Sequence, residues 1–140
     1  MARNRSPRIG NPIIAISWVG IRTDNLMDTR RFFEKALGMK VEFEALDFVV
    51  LRTPAGDTLE IFGPRARLSE PEQFTRNQVV VGLLVEDIDK ARREIEAAGA
   101  MLLGGLQRTP DGGAWQHFRG PDGNTWELVH DPHHPVLRRT

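Results

Sequence analysis

PAGDTLEI at residues 54–61 and PDGNTWEL at residues 121–128 are two copies of one pattern. Pro, Gly, Thr and Glu recur at the same places in both copies. In each copy, a turn that contains Pro and Gly leads into residues of alternating character, which is typical of a hairpin and its outgoing strand. A repeat of this kind predicts that the chain contains the same structural unit twice.

A second pair of matching segments precedes the first pair in the same order. Trp18–Ile21 reads WVGI and Val80–Leu83 reads VVGL, and each lies inside a short apolar run that predicts a strand. An amphipathic helical pattern follows each strand and ends at a glycine, Gly38 in the first copy and Gly99 in the second. Three further strand patterns complete each copy. Each half of the chain therefore predicts the order βαβββ.

The predicted fold class is α+β, with two tandem βαβββ modules whose curved mixed sheets form a cleft. The predicted divisions of this single domain are module 1 at about 12–64, a linker at 65–77, module 2 at about 78–131, and tails at 1–11 and 132–140. Residues 104–113 carry glycine pairs at both ends and are predicted to be flexible. The sequence leaves open whether the modules pair within one chain or between two chains.

The composition is that of an ordinary globular domain, with 140 residues, 40% of them hydrophobic and 27% charged. Because 19 basic residues balance 19 acidic ones, no general attraction to nucleic acid or to an anionic membrane is expected. The absence of cysteine excludes disulfides, thiolate zinc sites and cysteine nucleophiles. The basic N-terminal segment lacks the apolar core of a signal peptide, and no apolar run is long enough to span a membrane. We therefore predict a cytoplasmic protein that binds neither nucleic acid nor membranes.

The repeated modules resemble a known family. WVGI at 18–21, the helix end from Phe32 to Gly38 and PDGNTWEL at 121–128 are similar to the vicinal oxygen chelate superfamily. That group includes glyoxalase I, bleomycin-resistance proteins, fosfomycin-resistance enzymes, methylmalonyl-CoA epimerases and extradiol dioxygenases. The resemblance covers about residues 12–131, and it implies a small-molecule ligand or substrate and a homodimer.

The resemblance also implies four positions for one divalent metal ion. These positions correspond here to Trp18, Glu60, Val80 and Glu127. An indole and an isopropyl group cannot donate a lone pair to a metal, so the set is degenerate and no metal cofactor is expected. The alternative is Mn, Fe, Zn or Mg at Glu60 and Glu127, with substrate oxygens and waters completing the shell.

Strand alternation predicts which side chains line the cleft. Glu60 and Glu127 point away from the apolar faces that should meet the helices, so they are expected in the cleft. The same argument places Ile16, Trp18 and Val80 there. This pattern predicts a largely apolar cleft with few polar groups, as in many small-molecule pockets.

The length of one turn decides whether a histidine joins Glu127. If Pro121–Gly123 is a three-residue loop, His117 lies opposite Glu127 on the cleft side, and the two could act as a catalytic acid–base pair. A two-residue loop would place Gln116 and Phe118 on that side instead. A structural cross-strand pair is the alternative role for His117 and Glu127.

Further ligand-binding residues are suggested by their type and place. Trp18 and Trp115 could stack on either side of a flat ligand, although core packing is an equally good interpretation. Arg52 and its repeat mate Arg119 could attract an anionic ligand at the mouth of the cleft, with surface solvation as the alternative. His130, His133 and His134 are predicted to form an exposed tail, because the prolines between them prevent a helical metal-binding face.

Two functions follow from these residues. The first is a small-molecule-binding protein that holds or sequesters a hydrophobic or aromatic ligand without metal. The alternative is a lyase, isomerase or dioxygenase-like enzyme that acts on a small oxygenated substrate through Glu60, Glu127 and His117.

Overall fold

The computed structural model describes residues 13–139, so the predicted tail at 1–11 lies outside the described residues. The strands are β1 (Ala15–Arg22), β2 (Lys40–Ala45), β3 (Phe48–Arg52), β4 (Thr58–Phe62), β5 (Val79–Leu84), β6 (Met101–Arg108), β7 (Ala114–Arg119) and β8 (Thr125–His130). The helices are α1 (Leu26–Arg31), which a π-helical turn extends over Phe32–Ala36, and α2 (Ile88–Ala97), and a 3-10 turn follows at Leu137–Arg139. Within residues 13–139, no helix has the length and apolar character needed to cross a membrane.

All eight strands form one mixed sheet in the order β2-β3-β4-β1-β5-β8-β7-β6. Each module contributes four neighbouring strands, and its first strand is parallel to its last, β1 to β4 and β5 to β8. The modules join through the antiparallel pair of β1 and β5, in which Gly20 lies opposite Val80. The predicted α+β fold of two βαβββ modules is confirmed, and the modules pair within one chain.

The two helices pack on the same face of the sheet, each over its own module. The cluster beneath α1 is formed by Val49, Leu51, Leu59 and Ile61. The cluster beneath α2 is formed by Val85, Ile88, Ala91, Ala114, Phe118 and Leu128, and Trp126 packs against it. The side chains of Asn25 and Asp87 cap the two helices by accepting hydrogen bonds from the backbone N–H of Asp28 and Lys90. Because side chains alternate along a strand, the residues between these core positions face the opposite side of the sheet.

Two irregularities correct the predicted strand pattern. The register of β1 shifts between Ile16 and Trp18, so Ile16 is 63% exposed and does not reach the cleft as strict alternation predicted. Residues 104–108 continue β6, whereas residues 104–113 were predicted to be flexible. A register shift between Leu103 and Gln107 absorbs the two glycines, so the strand continues beyond them.

The C-terminal segment is packed against module 1, and the prediction of an exposed histidine tail is wrong for His134. This side chain is 5% exposed, and its Nε2 lies 2.9 Å from Oδ1 of Asp57. The neighbouring Pro135 lies against Gly56 in the β3–β4 turn. His133 is exposed as predicted, and His130 accepts or donates a 3.0 Å hydrogen bond between its Nδ1 and the carbonyl oxygen of Val85.

Candidate functional site

A cavity of about 400 Å³ lies on the face of the sheet opposite the helices. It is lined by Trp18, Phe48, Val50, Arg52, Thr58, Glu60, Phe62, Arg67, Ser69, Gln73, Thr109, Asp111, Gly113, Ala114, Trp115, His117, Glu127, Val129, His130 and Asp131. Strands from both modules reach it because the sheet curves around it. Twelve of these twenty residues are polar or charged, whereas apolar atoms supply the larger share of the lining surface, so the cleft carries more polar groups than the sequence predicted. The alternation of side chains along a strand predicts which strand residues face the cavity. It does not predict the polar residues that the loops contribute at its rim.

Glu60 and Glu127 both lie in this cavity, on the last strands of the two modules. The pKa of Glu60 is raised from 4.5 to about 7, chiefly by burial and then by repulsion from the Glu127 carboxylate. Hydrogen bonding to Trp18 and attraction by Arg52 oppose this rise. Burial also raises the pKa of Glu127, although the hydrogen bond and charge of His117 lower it. The two carboxylates therefore share a site in which neither is readily ionised.

The turn before β8 is the three-residue loop that places His117 in the cavity. The backbone N–H of Gly120 donates to the carbonyl oxygen of Asn124 at 3.0 Å, and His117 lies directly opposite Glu127 in the ladder. Of the two registers that the sequence left open, the structure has the one that places His117 opposite Glu127. Gln116 points to the other face, where its amide donates to the carbonyl oxygens of Leu103 and Gly104.

The contact between His117 and Glu127 is short but poorly directed. Nε2 of His117 lies 3.0 Å from Oε2 of Glu127, and the histidine is 3% exposed. Within the described residues this nitrogen has no hydrogen bond of good geometry, because Oε2 lies off the direction of the ring N–H bond. A buried polar atom without a directed partner is costly. His117 can therefore gain a hydrogen bond when a ligand enters.

Trp18 covers the centre of the cleft, and Gly20 makes that position possible. Its indole lies over Gly20, so that a Cβ there would be 2.8 Å from Cζ2 of the indole and closer still to Cη2. The ring packs with Phe62 and Val80 in a third apolar cluster. The absence of a side chain at Gly20 therefore allows the indole to lie beside Glu60 and to cover it.

Gly20→Ala is expected to lower the free energy of unfolding by about 1 to 2 kcal/mol, because the new methyl group overlaps the Trp18 ring and forces it to move. Urea denaturation followed by circular dichroism measures this difference. Gly105→Ala is the matched control, since nothing lies within 4 Å of a Cβ at that position. Equal stability of the two variants would show that the Trp18 ring does not lie over Gly20.

The other predicted binding residues divide into two groups. Trp115 and Arg52 line the cavity, and the indole N–H of Trp115 donates to Oγ of Ser69 at 3.1 Å. Val80 is fully buried beneath Trp18 and is not among the lining residues. Arg119 is also outside the lining, and its Nε is buried without a hydrogen-bond partner among residues 13–139.

The linker supplies site residues that the sequence analysis did not identify. Arg67, Ser69 and Gln73 line the cavity, and Gln73 is almost fully buried. Phe74 anchors this segment, with its ring centroid 5.2 Å from that of Phe62. The apolar residues of the linker recur with neither the period of a helix nor that of a strand. Only the aromatic residue Phe74 could have suggested that the linker packs against the sheet.

The donor atoms in the cavity do not form a recognisable metal site. Across residues 13–139, no three His, Asp or Glu side chains are arranged so that they could hold a metal ion. The carboxylate of Glu60 meets the indole of Trp18, which has no lone pair to give to a metal. The chain's own side chains therefore do not fit the metal that the resemblance implies, and the cofactor is undetermined.

The match of a family model agrees with the fold and the site. Residues 15–128 match the model of the Glyoxalase/Bleomycin resistance protein/Dioxygenase superfamily. The chain belongs to this superfamily. A comparison with curated proteins gave no match.

Solved structures share the fold at low sequence identity. The Mn(II)-bound glyoxalase from Novosphingobium aromaticivorans has a TM-score of 0.67 and 19% identity, over 86% of this chain and 40% of that chain. A variant of homoprotocatechuate 2,3-dioxygenase from B. fuscum has a TM-score of 0.63 and 21% identity, over 89% of this chain and 34% of that chain. Methylmalonyl-CoA epimerase from Streptomyces coelicolor, in complex with 2-nitronate-propionyl-CoA, has a TM-score of 0.61 and 19% identity, over 86% and 99%. The chain spans less than half of the first two, and these likenesses show the fold alone.

Proposed function

We propose that this chain binds a flat aromatic small molecule in the cavity described above and that it does so without a resident metal ion. The observation that carries the proposal is the pair of indoles, Trp18 and Trp115, that line one cavity of about 400 Å³. The two rings are not in contact with each other, since no ring pair joins them among the described residues. A cavity of this volume suits a ligand of two or three fused rings.

Two further observations support binding over a metal-dependent reaction. Trp18 and Val80 stand where the family commonly has metal ligands, and neither side chain can coordinate a metal. Phe48 and Phe62 extend the aromatic lining beyond the indoles, with ring centroids 4.9 Å apart. Aromatic walls contribute both buried area and stacking to the binding of a flat molecule.

Tryptophan fluorescence titration with flat bicyclic aromatic compounds tests the proposal. Quenching is expected for the full chain, and Trp115→Ala is expected to weaken binding by about tenfold or more because a stacking wall is lost. Trp115 is the preferred site for truncation because it is only half-buried, whereas Trp18 is in the core.

Trp126→Phe is the matched control, because this third tryptophan packs against the cluster beneath α2 and not in the cavity. It should leave the affinity unchanged within about twofold. Equal affinities of Trp115→Ala and the unmodified chain would remove the stacking role, and no binding by any compound would contradict the proposal.

A second candidate function is proton transfer on a small oxygenated substrate, as in a lyase or an isomerase. The observation in its favour is the buried group of Glu60, Glu127 and His117, in which both carboxyl pKa values are raised. Groups with perturbed pKa values in a cavity are candidates for acid–base catalysis. Glu60 or Glu127 would accept the proton, and His117 would position or return it.

The assembly and location of the protein remain proposals as well. We expect a homodimer, since among residues 13–139 no strand pairs with the outer edges of β2 and β6. A cytoplasmic location is expected from the sequence features already described.

A further inference from the structure

We propose that the ligand of this cavity is an aromatic cation, with its positive charge directed at Glu60 and Glu127. This inference rests on the proposed function, because it names the chemical class that the same cavity would bind. Four features carry it: the charges that line the cavity, the state of its arginines, its aromatic lining and the buried nitrogen of His117.

Acidic side chains outnumber arginines in the lining by four to two, and the two buried carboxyl groups, whose pKa values are raised, ionise more readily when a cation lies beside them. Glu60 and Glu127 lie on the last strands of the two modules, and Asp111 and Asp131 also line the cavity. The Glu60 and Glu127 carboxylates repel each other. A cation placed between them would relieve this repulsion, whereas an anion would increase it and a neutral ligand would only remove water from both carboxylates.

The two arginines of the lining offset these charges only in part, since Arg52 attracts the Glu60 carboxylate but is also paired elsewhere. Nε of Arg52 donates to Oε2 of Glu42 at 2.6 Å, and one of its terminal nitrogens donates to the carbonyl oxygen of Gly56 at 2.8 Å. Its guanidinium is therefore largely paired with groups on its own module. Arg67 lies in the linker and is exposed, so water screens its charge. Glu60 and Glu127 are therefore the buried ionisable groups of the lining that a cationic ligand would stabilise in their charged forms.

The aromatic lining favours the same class of ligand. A cation that lies against an indole or phenyl face is attracted by the negative face of the ring. Trp18 lies beside Glu60, so one ligand group can meet both the indole and the carboxylate. Delocalised positive charge on a ring also costs less to remove from water than a compact ammonium group.

His117 supplies an independent indication of a ligand. His117 lines the cavity, and its Nε2 atom is buried without a hydrogen bond of good geometry among the described residues. In the tautomer that carries its proton on Nδ1, Nε2 can accept a hydrogen bond from a ring N–H or amino group of a ligand next to Glu127. The expected ligand is therefore a flat cation that carries N–H groups.

Isothermal titration calorimetry of the full chain with three probes of nearly equal size tests the inference. The probes are 4-aminoquinoline, which is a cation at neutral pH, 1-aminonaphthalene, which is its neutral counterpart, and 1-naphthoate, which is an anion. The cation is expected to bind about tenfold or more tightly than the neutral probe, and the anion is expected to bind most weakly.

A substitution then assigns the preference to the carboxylates. Glu127→Gln keeps the shape of the side chain and is expected to weaken the cation by about tenfold while leaving the neutral probe within about twofold. Glu96→Gln, at an exposed position of α2, is the matched control and should change neither affinity. A circular dichroism spectrum of each variant confirms that it has folded.

The outcomes separate this inference from the proposed function. Equal or tighter binding of the neutral probe or the anion would overturn the cation preference and leave aromatic binding in place. An equal loss of all affinities in Glu127→Gln would assign that residue a structural role and overturn the inference. Failure of all three probes to bind would contradict both proposals.

Discussion

Glu60→Gln is expected to raise the free energy of unfolding at pH 8 by about 2 kcal/mol. In the folded chain the Glu60 carboxylate is buried, covered by the Trp18 indole and repelled by Glu127, so its ionised form is disfavoured. Glutamine fills the same space without a charge. The figure is kept below the full value of the pKa difference because the Glu60 side chain lines an open cavity, where solvent screens part of the effect.

The sign of the pH dependence follows from the raised pKa. Between pH 4.5 and about 7 the folded chain holds a proton on Glu60 that the unfolded chain has already lost. The stability contributed by this group is therefore lost progressively as the pH rises through that interval, and the loss is complete above about pH 7. Glu127 acts in the same direction, because its pKa is also raised. In Glu60→Gln the decline in stability from pH 5 to pH 8 should be shallower.

Urea denaturation at pH 5 and at pH 8 measures both expectations. Glu96→Gln is the control, since it removes an exposed carboxylate on α2 and should leave the pH dependence unchanged. If Glu60→Gln and Glu96→Gln gave the same profile, Glu60 would be ionised in the folded chain without cost, and neither burial nor Glu127 would raise its pKa.

Glu127→Gln is expected to lower turnover by about 100-fold under the second candidate function, which is the usual scale for the loss of a general base. Deuterium exchange at the carbon next to the carbonyl or hydroxyl group of small 2-oxo and 2-hydroxy acids, followed by proton NMR in D2O, detects the proton transfer. The glutamine keeps a polar group opposite His117 but cannot accept the proton.

The control for this measurement is again Glu96→Gln, which should exchange at the rate of the unmodified chain. Exchange that persists in Glu127→Gln and is lost in Glu60→Gln would transfer the role of base to Glu60. No exchange with any of the acids would contradict the second candidate and favour a binding protein.

The fold could be predicted from the sequence because the same pattern of strands, helix and turns occurs twice along the chain. The sequence left the length of the turn at Pro121–Gly123 open, and only the structure shows the three-residue loop that brings His117 to Glu127. Strand alternation then gave the correct face for Glu60 and Glu127. These inferences depend on residues that are close in sequence. Because side chains alternate with a period of two, the face of one residue fixes the faces of the others along a regular strand.

The rest of the site depends on contacts between distant segments, which a local pattern does not contain. The register shift between Ile16 and Trp18 changes the face on which Ile16 lies, and the hydrophobic pattern of β1 does not reveal it. The linker reaches the cavity through Ser69, which meets a tryptophan 46 positions away. His134 is buried because Asp57, 77 positions earlier, lies beside it. Contacts at such separations become visible only when the two modules are placed together.

The pairing of β1 with β5 has a consequence for how the site responds to dilution. Every residue that lines the cavity belongs to one chain, and the linker holds the two halves together at a fixed, high effective concentration. A cleft assembled from the modules of two chains would come apart when the protein is scarce, whereas here both modules that line the cavity belong to one chain. Dilution therefore does not separate the two modules.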